Sequence, residues 1–144
     1  MSNRIQLEGT SGADYIYTEN LAHAALSPGH ILEVNEDNEV LVHNSAGEHG
    51  LVRVAVEDAL QGKTVATAYA AGALVPNHIQ RKGTRFQAML ASGEDVSIGD
   101  PLMSDGSGCL IAHTGTNIVL TYADEALDLS ATAAVDTLCA MRAN

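Results

Sequence analysis

From position 29 onward a glycine recurs about every ten residues, at Gly29, Gly47, Gly50, Gly62, Gly72, Gly83, Gly93, Gly99, Gly106, Gly108 and Gly115. The apolar runs between them are too short for helices of ordinary length. They are rich in β-branched residues, and two of them alternate. Ile31-Leu32-Glu33-Val34 and Val40-Leu41-Val42-His43 flank the polar Asn35-Glu36-Asp37-Asn38, a hairpin pattern. Residues 51–57 put Val52, Val54 and Val56 on one face, and residues 84–90 do the same with Phe86, Ala88 and Leu90. Residues 118–122 and 135–141 read as further strands. Short strands with frequent glycine turns define a mainly β, single-domain fold of barrel or sandwich type.

Helical signal is confined to single turns. Glu57-Asp58-Ala59-Leu60-Gln61 allows one turn, stopped by Gly62. The alanines of residues 65–74 favour helix, whereas Gly72 and the threonines oppose a long one. Pro76 assigns residues 74–80 to an edge or irregular position. Residues 1–25 carry the weakest pattern and read as an extended N-terminal arm, leaving residues 26–144 as the β-rich domain.

One internal likeness stands out. Residues 26–43 and 96–113 align at an offset of 70, with Ser27/Ser97, Gly29/Gly99, Leu32/Leu102 and His43/His113 identical. Two related hairpins in a sheet of approximate twofold symmetry account for it. So does coincidence between hairpins that use the same turn chemistry.

Composition limits both core and partners. The 144 residues include 22 Ala but only five aromatics, Tyr15, Tyr17, Tyr69, Tyr122 and Phe86. Small aliphatic side chains bury little area each, so association is expected to supply part of the stability. Seven Lys and Arg face 18 Asp and Glu, for a net charge of −11. Only Arg81, Lys82 and Arg85 cluster, at what reads as a solvated hairpin tip. That balance opposes binding to nucleic acid or an anionic membrane. No apolar run approaches the ~20 residues of a spanning helix. The first residues lack an apolar leader core, so synthesis in the cytosol is expected. Cys109 and Cys139 are expected as free, buried thiols.

No catalytic signature emerges. Gly62-Lys63-Thr64 lacks the upstream glycine of a phosphate loop, because position 57 is Glu57. The six histidines have no metal-ligand spacing, although His43 and Glu48-His49 border one loop. Asp105-Gly106-Ser107 lacks the distal Glu of a calcium loop, and Ser107 is not in a nucleophile elbow. No cofactor, metal or catalytic residue is assigned, and function is expected to reside on a surface.

Several collinear stretches bear on which surface. Ala25-Leu-Ser-Pro-Gly-His-Ile-Leu-Glu-Val, Glu57-Asp-Ala-Leu-Gln-Gly-Lys-Thr-Val and Tyr69-Ala-Ala-Gly-Ala-Leu-Val-Pro lead the set. Residues 88–102 and the closing Glu125-Ala-Leu-Asp-Leu-Ser-Ala-Thr-Ala-Ala-Val-Asp-Thr continue it. Together they resemble the capsid decoration, or cement, proteins of tailed bacteriophages. The resemblance implies a non-enzymatic, small β-rich (tulip-like) fold. It implies homotrimers bound to the major capsid protein on the outside of the expanded head, stabilising it against DNA pressure. Synthesis in the bacterial host cytoplasm and residence in the virion follow. Candidate capsid contacts are the arm residues Arg4, Ile5, Leu7, Tyr15 and Tyr17, where short runs alternate, and the scarce cations Arg53, Arg81 and Arg85. A small trimeric β-barrel enzyme and a carbohydrate-binding virion domain are the competing classes. The absence of Trp weighs against the second.

Overall fold

The computed structural model describes residues 3–8, 15–48, 50–131 and 133–144. Among the described residues there are twelve strands: β1 (Tyr15–Leu21), β2 (Ile31–Val34), β3 (Val40–Val42), β4 (Arg53–Ala55), β5 (Leu74–Gln80), β6 (Arg85–Leu90), β7 (Asp95–Val96), β8 (Pro101–Ser104), β9 (Leu110–Ala112), β10 (Thr121–Ala123), β11 (Leu127–Asp128) and β12 (Thr137–Ala143). The one described helical element is the 3-10 turn Ala59–Gln61, capped by the Asp58 carboxylate and ended by Gly62 at φ +72°. The alanine-rich stretch before β5 forms turns rather than a helix. The mainly β expectation with short helical turns holds.

The offset of 70 is structural. Residues 31–34 and 101–104 are β2 and β8; residues 40–42 and 110–112 are β3 and β9. The correspondence extends beyond the hairpin. One sheet runs β1-β5-β4-β2-β3, and the barrel sheet runs β6-β12-β10-β8-β9 in the same order. Registers match as well: Leu32 faces Arg53 and Leu102 faces Thr121, while Val54 faces His78 and Tyr122 faces Arg142. The second unit closes by a parallel contact of Leu90 with Leu110, and Ala91 N–H donates to Leu110 O at 2.9 Å. The first closes at the matching place, with Ala22 beside Val40 and His23 N–H on Val40 O at 2.8 Å. The described chain is thus built on two copies of one five-stranded unit, with β7 and β11 paired as a separate two-stranded sheet. Residues 81–83, expected as a hairpin tip, are the connector between them, because β5 and β6 belong to different sheets.

Each unit fills its own interior. Ala22, Leu26, Leu32, Val40, Ala55 and Val75 are buried in the first. Their counterparts Leu90, Val96, Leu102, Leu110, Ala123 and Cys139 are buried in the second, where Leu90 and Leu110 are larger than the matching Ala22 and Val40. A further layer joins the units: Ile31, Val52, Val54 and Val56 pack in one cluster with Phe86, Ala88, Leu120, Leu138 and Met141. Apolar burial of this kind is the main favourable term in folding.

Pro76 departs from expectation. It lies in β5, between β1 and β4, not at an edge. Its nitrogen points past the end of β4, toward Val56. The Val56 N–H still donates to Pro76 O at 3.0 Å. The Val56 carbonyl, left without a donor by proline, accepts from the buried Tyr69 hydroxyl at 2.7 Å. Tyr69→Phe should therefore strand a buried carbonyl and cost about 1–3 kcal/mol, measured by urea unfolding. An unchanged midpoint would show that the carbonyl finds another donor.

Both cysteines are free and buried, as expected. Burial, aided by Asp136 and Asp105, pushes the Cys109 thiol up to about 12, and burial beside Glu125 does the same for Cys139. No described helix is long and apolar enough to cross a membrane.

Candidate functional site

The described part of the expected arm is packed. Ile5 is 0% exposed and belongs to the cluster that joins the two units. Tyr15–Leu21 is β1, paired along its whole length with β5. Ile5 is buried because the backbone around it docks on the outer edge of β6. Gln87 N–H donates to Ile5 O at 2.7 Å, and Leu7 N–H donates to Arg85 O at 3.2 Å. On the other side, Ile5 N–H donates to the Glu57 carboxylate at 3.0 Å. The Gln6 side-chain oxygen accepts from His78 Nδ1 at 2.9 Å and from Gln80 Nε2 at 2.8 Å. The segment is a short added strand that ties the first unit to the second. Residues 1–2 and 9–14 of the expected arm, and His49 of the loop near His43, lie outside the described residues.

Clefts flank this segment. One of about 480 Å³ is lined by Arg4, Leu7, Tyr15, Glu57 and His78. A second, of about 380 Å³, lies between Leu7, Arg85, Glu125 and Leu138. A third, of about 150 Å³, includes Tyr17, Asp58 and Pro76. Tyr15 stacks on His78 with ring centroids 4.0 Å apart, and Tyr17 meets the same ring edge-on at 5.7 Å. The Tyr17 hydroxyl donates to Glu19 at 2.5 Å. That hydrogen bond, then burial, pushes the phenol up to about 12.

Of the candidate contact residues, Arg4, Leu7, Tyr15 and Tyr17 share this face, and Arg85 borders it. Ile5 lies beneath it. Arg53 is elsewhere. It shares a sheet side with Thr18 and Asn77, opposite to Tyr17 and His78, and donates to their side chains at 2.9 and 2.6 Å. Arg81 is exposed on the connector.

Arg85 does not present an unpaired charge, because its Nε is ion-paired with Asp124. Asp124 also takes Arg142 Nε at 3.0 Å, and Arg142 reaches Glu8 at 3.1 Å and the Gly83 carbonyl at 3.0 Å. The bonds to Glu8 and Asp124 hold the Arg142 guanidinium above its ordinary value. Gln6, His78, Asp124 and Arg142 escape sequence reading, since they lie far apart in the chain and form no motif. Lys63 does not build a phosphate cradle; its ammonium lies 5.6 Å from the Tyr69 ring centroid. Among the described residues no group of three His, Cys, Asp or Glu side chains is placed to hold a metal ion.

Burial lowers His78 to about 4, and burial also lowers His30. His78 is neutral in the fold at pH 6, whereas in the unfolded chain it binds protons there, and His30 is shifted in the same direction. The His78 contribution is complete above pH 6.5 and is lost as pH falls toward 4. Stability should therefore fall between pH 6.5 and 4, and His78→Gln should flatten that slope. Chemical unfolding at stepped pH measures it; an unaltered slope in the variant would remove His78 from this role.

No protein-family model matches the sequence, and no curated protein matches it. Among solved structures, the N base of the head fiber gp8.5 in bacteriophage phi29 is similar, with a TM-score of 0.58. The superposition covers 90% of this chain and 94% of that one, at 14% sequence identity. The two chains share a fold. The likeness spans both five-stranded units, so it concerns the whole arrangement and not one sheet.

Proposed function

We propose that the chain is a structural, non-catalytic component of a tailed-phage head that binds the capsid exterior. The observation that carries this reading is the near full-length fold likeness to the N base of a phage head fiber. The sequence resemblance to decoration proteins supports it independently of the fold. Within this reading the protein acts as a cement. Homotrimers seat on the major capsid protein of the expanded shell and clamp neighbouring subunits. A closed cyclic trimer avoids open-ended growth.

The face built around residues 3–8 is the proposed attachment surface. Arg4, Leu7, Tyr15 and Tyr17 supply it, with Arg85 at its border and Ile5 holding it from within; Arg81, exposed on the connector, is the further cation proposed to contact the capsid. The net charge of −11 keeps free copies soluble and away from DNA. Stabilisation is by mass action: a ligand specific for the intact lattice contributes about 2.7 kcal/mol per site at a hundredfold excess over Kd.

Sedimentation with expanded and unexpanded capsids tests the reading. Binding in multiples of three to expanded shells is expected, and decorated capsids should release DNA at a higher temperature than bare ones. Equal release temperatures would remove the cement function even where binding occurs. Binding as isolated monomers would remove the trimer.

A further inference from the structure

The two units differ at one equivalent edge. Along the outer edge of β6 the backbone is filled: Arg85 O accepts from Leu7, Gln87 N–H donates to Ile5, and Met89 N–H donates to Gly29 O at 2.9 Å. Ala91 then bonds Leu110. The matching positions on β1 are Tyr17, Glu19, Leu21 and His23. His23 bonds Val40 as Ala91 bonds Leu110. Ala22 N–H donates to Ala73 O at 2.8 Å, which fixes the alternation along β1. Asn20, Thr18 and Ile16 therefore point their backbone groups at β5, and Tyr17, Glu19 and Leu21 point theirs outward. Among the described residues, no backbone partner meets those three.

This edge is long and apolar for an open one. Ile16, Tyr17 and Leu21 are 46%, 52% and 49% exposed, and Leu74 beside them is 51% exposed. An unpaired strand of this character is a template for further pairing. The chain's own short strand cannot serve both edges, since residues 3–8 are held on β6.

We infer that the outer edge of β1 is a docking site for an extended segment of a partner protein, carrying apolar residues at alternate positions and Lys or Arg between them. Three unfilled rungs supply main-chain bonds, as in strand addition generally. The charge follows from the border of the site. Glu19 lies on the strand, and Glu57 and Asp58 line the cleft beside Tyr17. Two cations stand near this border, Arg4 in the neighbouring cleft and Lys63 over Tyr69, against these three carboxylates. A second copy, itself at −11, would bring like charge to that border. Arg4-Ile5-Gln6-Leu7, which fills the matching edge of β6, has the same apolar–polar alternation and a leading cation. The inference holds whether or not the partner belongs to a capsid.

The test uses the full chain and a capped octapeptide in which lysine alternates with isoleucine and leucine. Backbone amide signals of Tyr17, Glu19 and Leu21 should shift on titration, and their hydrogen exchange should slow at least tenfold. Glu19→Pro removes an outward N–H that makes no bond to β5, so it should weaken binding at least tenfold without unfolding the chain. Should that variant not fold, the same peptide N-methylated at alternate residues provides the equivalent loss on the unmodified protein. Replacing the peptide's lysines by glutamates should also weaken binding at least tenfold. Shifts confined to other amides, equal binding of the N-methylated peptide, or equal binding of the glutamate peptide would overturn the inference. Protection of Tyr17, Glu19 and Leu21 that rises with protein concentration alone, and vanishes in Glu19→Pro, would overturn it in favour of a second copy.

Discussion

Ile5→Ala should destabilise the protein by about 2–5 kcal/mol, the range for truncating a fully buried isoleucine. For a chain of this size that corresponds to a melting temperature lower by about 5–15 °C. Ile5→Asp should exceed that cost, because the carboxylate would enter an apolar cluster without a partner. The reason lies in what surrounds position 5. Its side chain is 0% exposed among residues of both units, and its backbone is bonded to Glu57 of the first and Gln87 of the second. Leu7→Ala, half-buried at the rim of two clefts, should cost far less and serves as the neighbouring control. Differential scanning calorimetry measures all three. A melting temperature within 2 °C of the parent for Ile5→Ala would mean that residues 3–8 contribute nothing to the fold in solution.

Separating the two units should abolish folding of each. A fragment of residues 84–144 keeps the closed barrel but exposes Phe86, Leu120, Leu138 and Met141, which pack in the parent against Ile5, Ile31 and Val54. A fragment of residues 1–80 exposes the other side of the same layer and leaves residues 3–8 without β6. Neither fragment has far to fall, since small domains have few kcal/mol to lose. The connector at residues 81–83 is exposed, so removing it takes away no buried side chain and gives up only the Gly83 bonds to Ala143 and Arg142 and the Arg81 bond to Thr84. The fragments alone should show no cooperative unfolding, and the equimolar mixture should recover it. Circular dichroism melts of the separate and mixed fragments give the answer. Cooperative melting of residues 84–144 alone would show that the joining layer is dispensable for that unit.

The local signals were legible because they are carried by neighbours in the chain. Alternation at Val52, Val54 and Val56 and at Phe86, Ala88 and Leu90 reports which side is buried, and all six side chains are. The hairpin of β2 and β3 was legible from the turn at Asn35-Glu36-Asp37-Asn38, where Asn38 takes φ +61°. Pro76 was misleading, since its cost depends on what faces its nitrogen, and the compensating donor, Tyr69, is seven residues away. The arm was misleading for a related reason. A segment as short as Arg4-Ile5-Gln6-Leu7 has too few residues to display a period, and its burial depends on β6, some eighty residues on.

The composition and turn chemistry of this sequence by themselves determined a mainly β chain, its acidity and two buried thiols, and offered a likeness between two hairpins that coincidence could equally explain. Only the tertiary structure decided that the hairpins belong to two complete five-stranded units. The duplicated positions keep strand register and burial rather than residue identity, so Ala22 matches Leu90 and Val75 matches Cys139. Backbone hydrogen bonding tolerates such exchanges as long as the face stays apolar. The candidate face was likewise decided in three dimensions. Gln6 meets His78 across 72 positions of the chain, and Arg142 meets Asp124 across 18 and Glu8 across 134. Such contacts leave no spacing to read, because their geometry is set by how the two units pack and not by the residues between them.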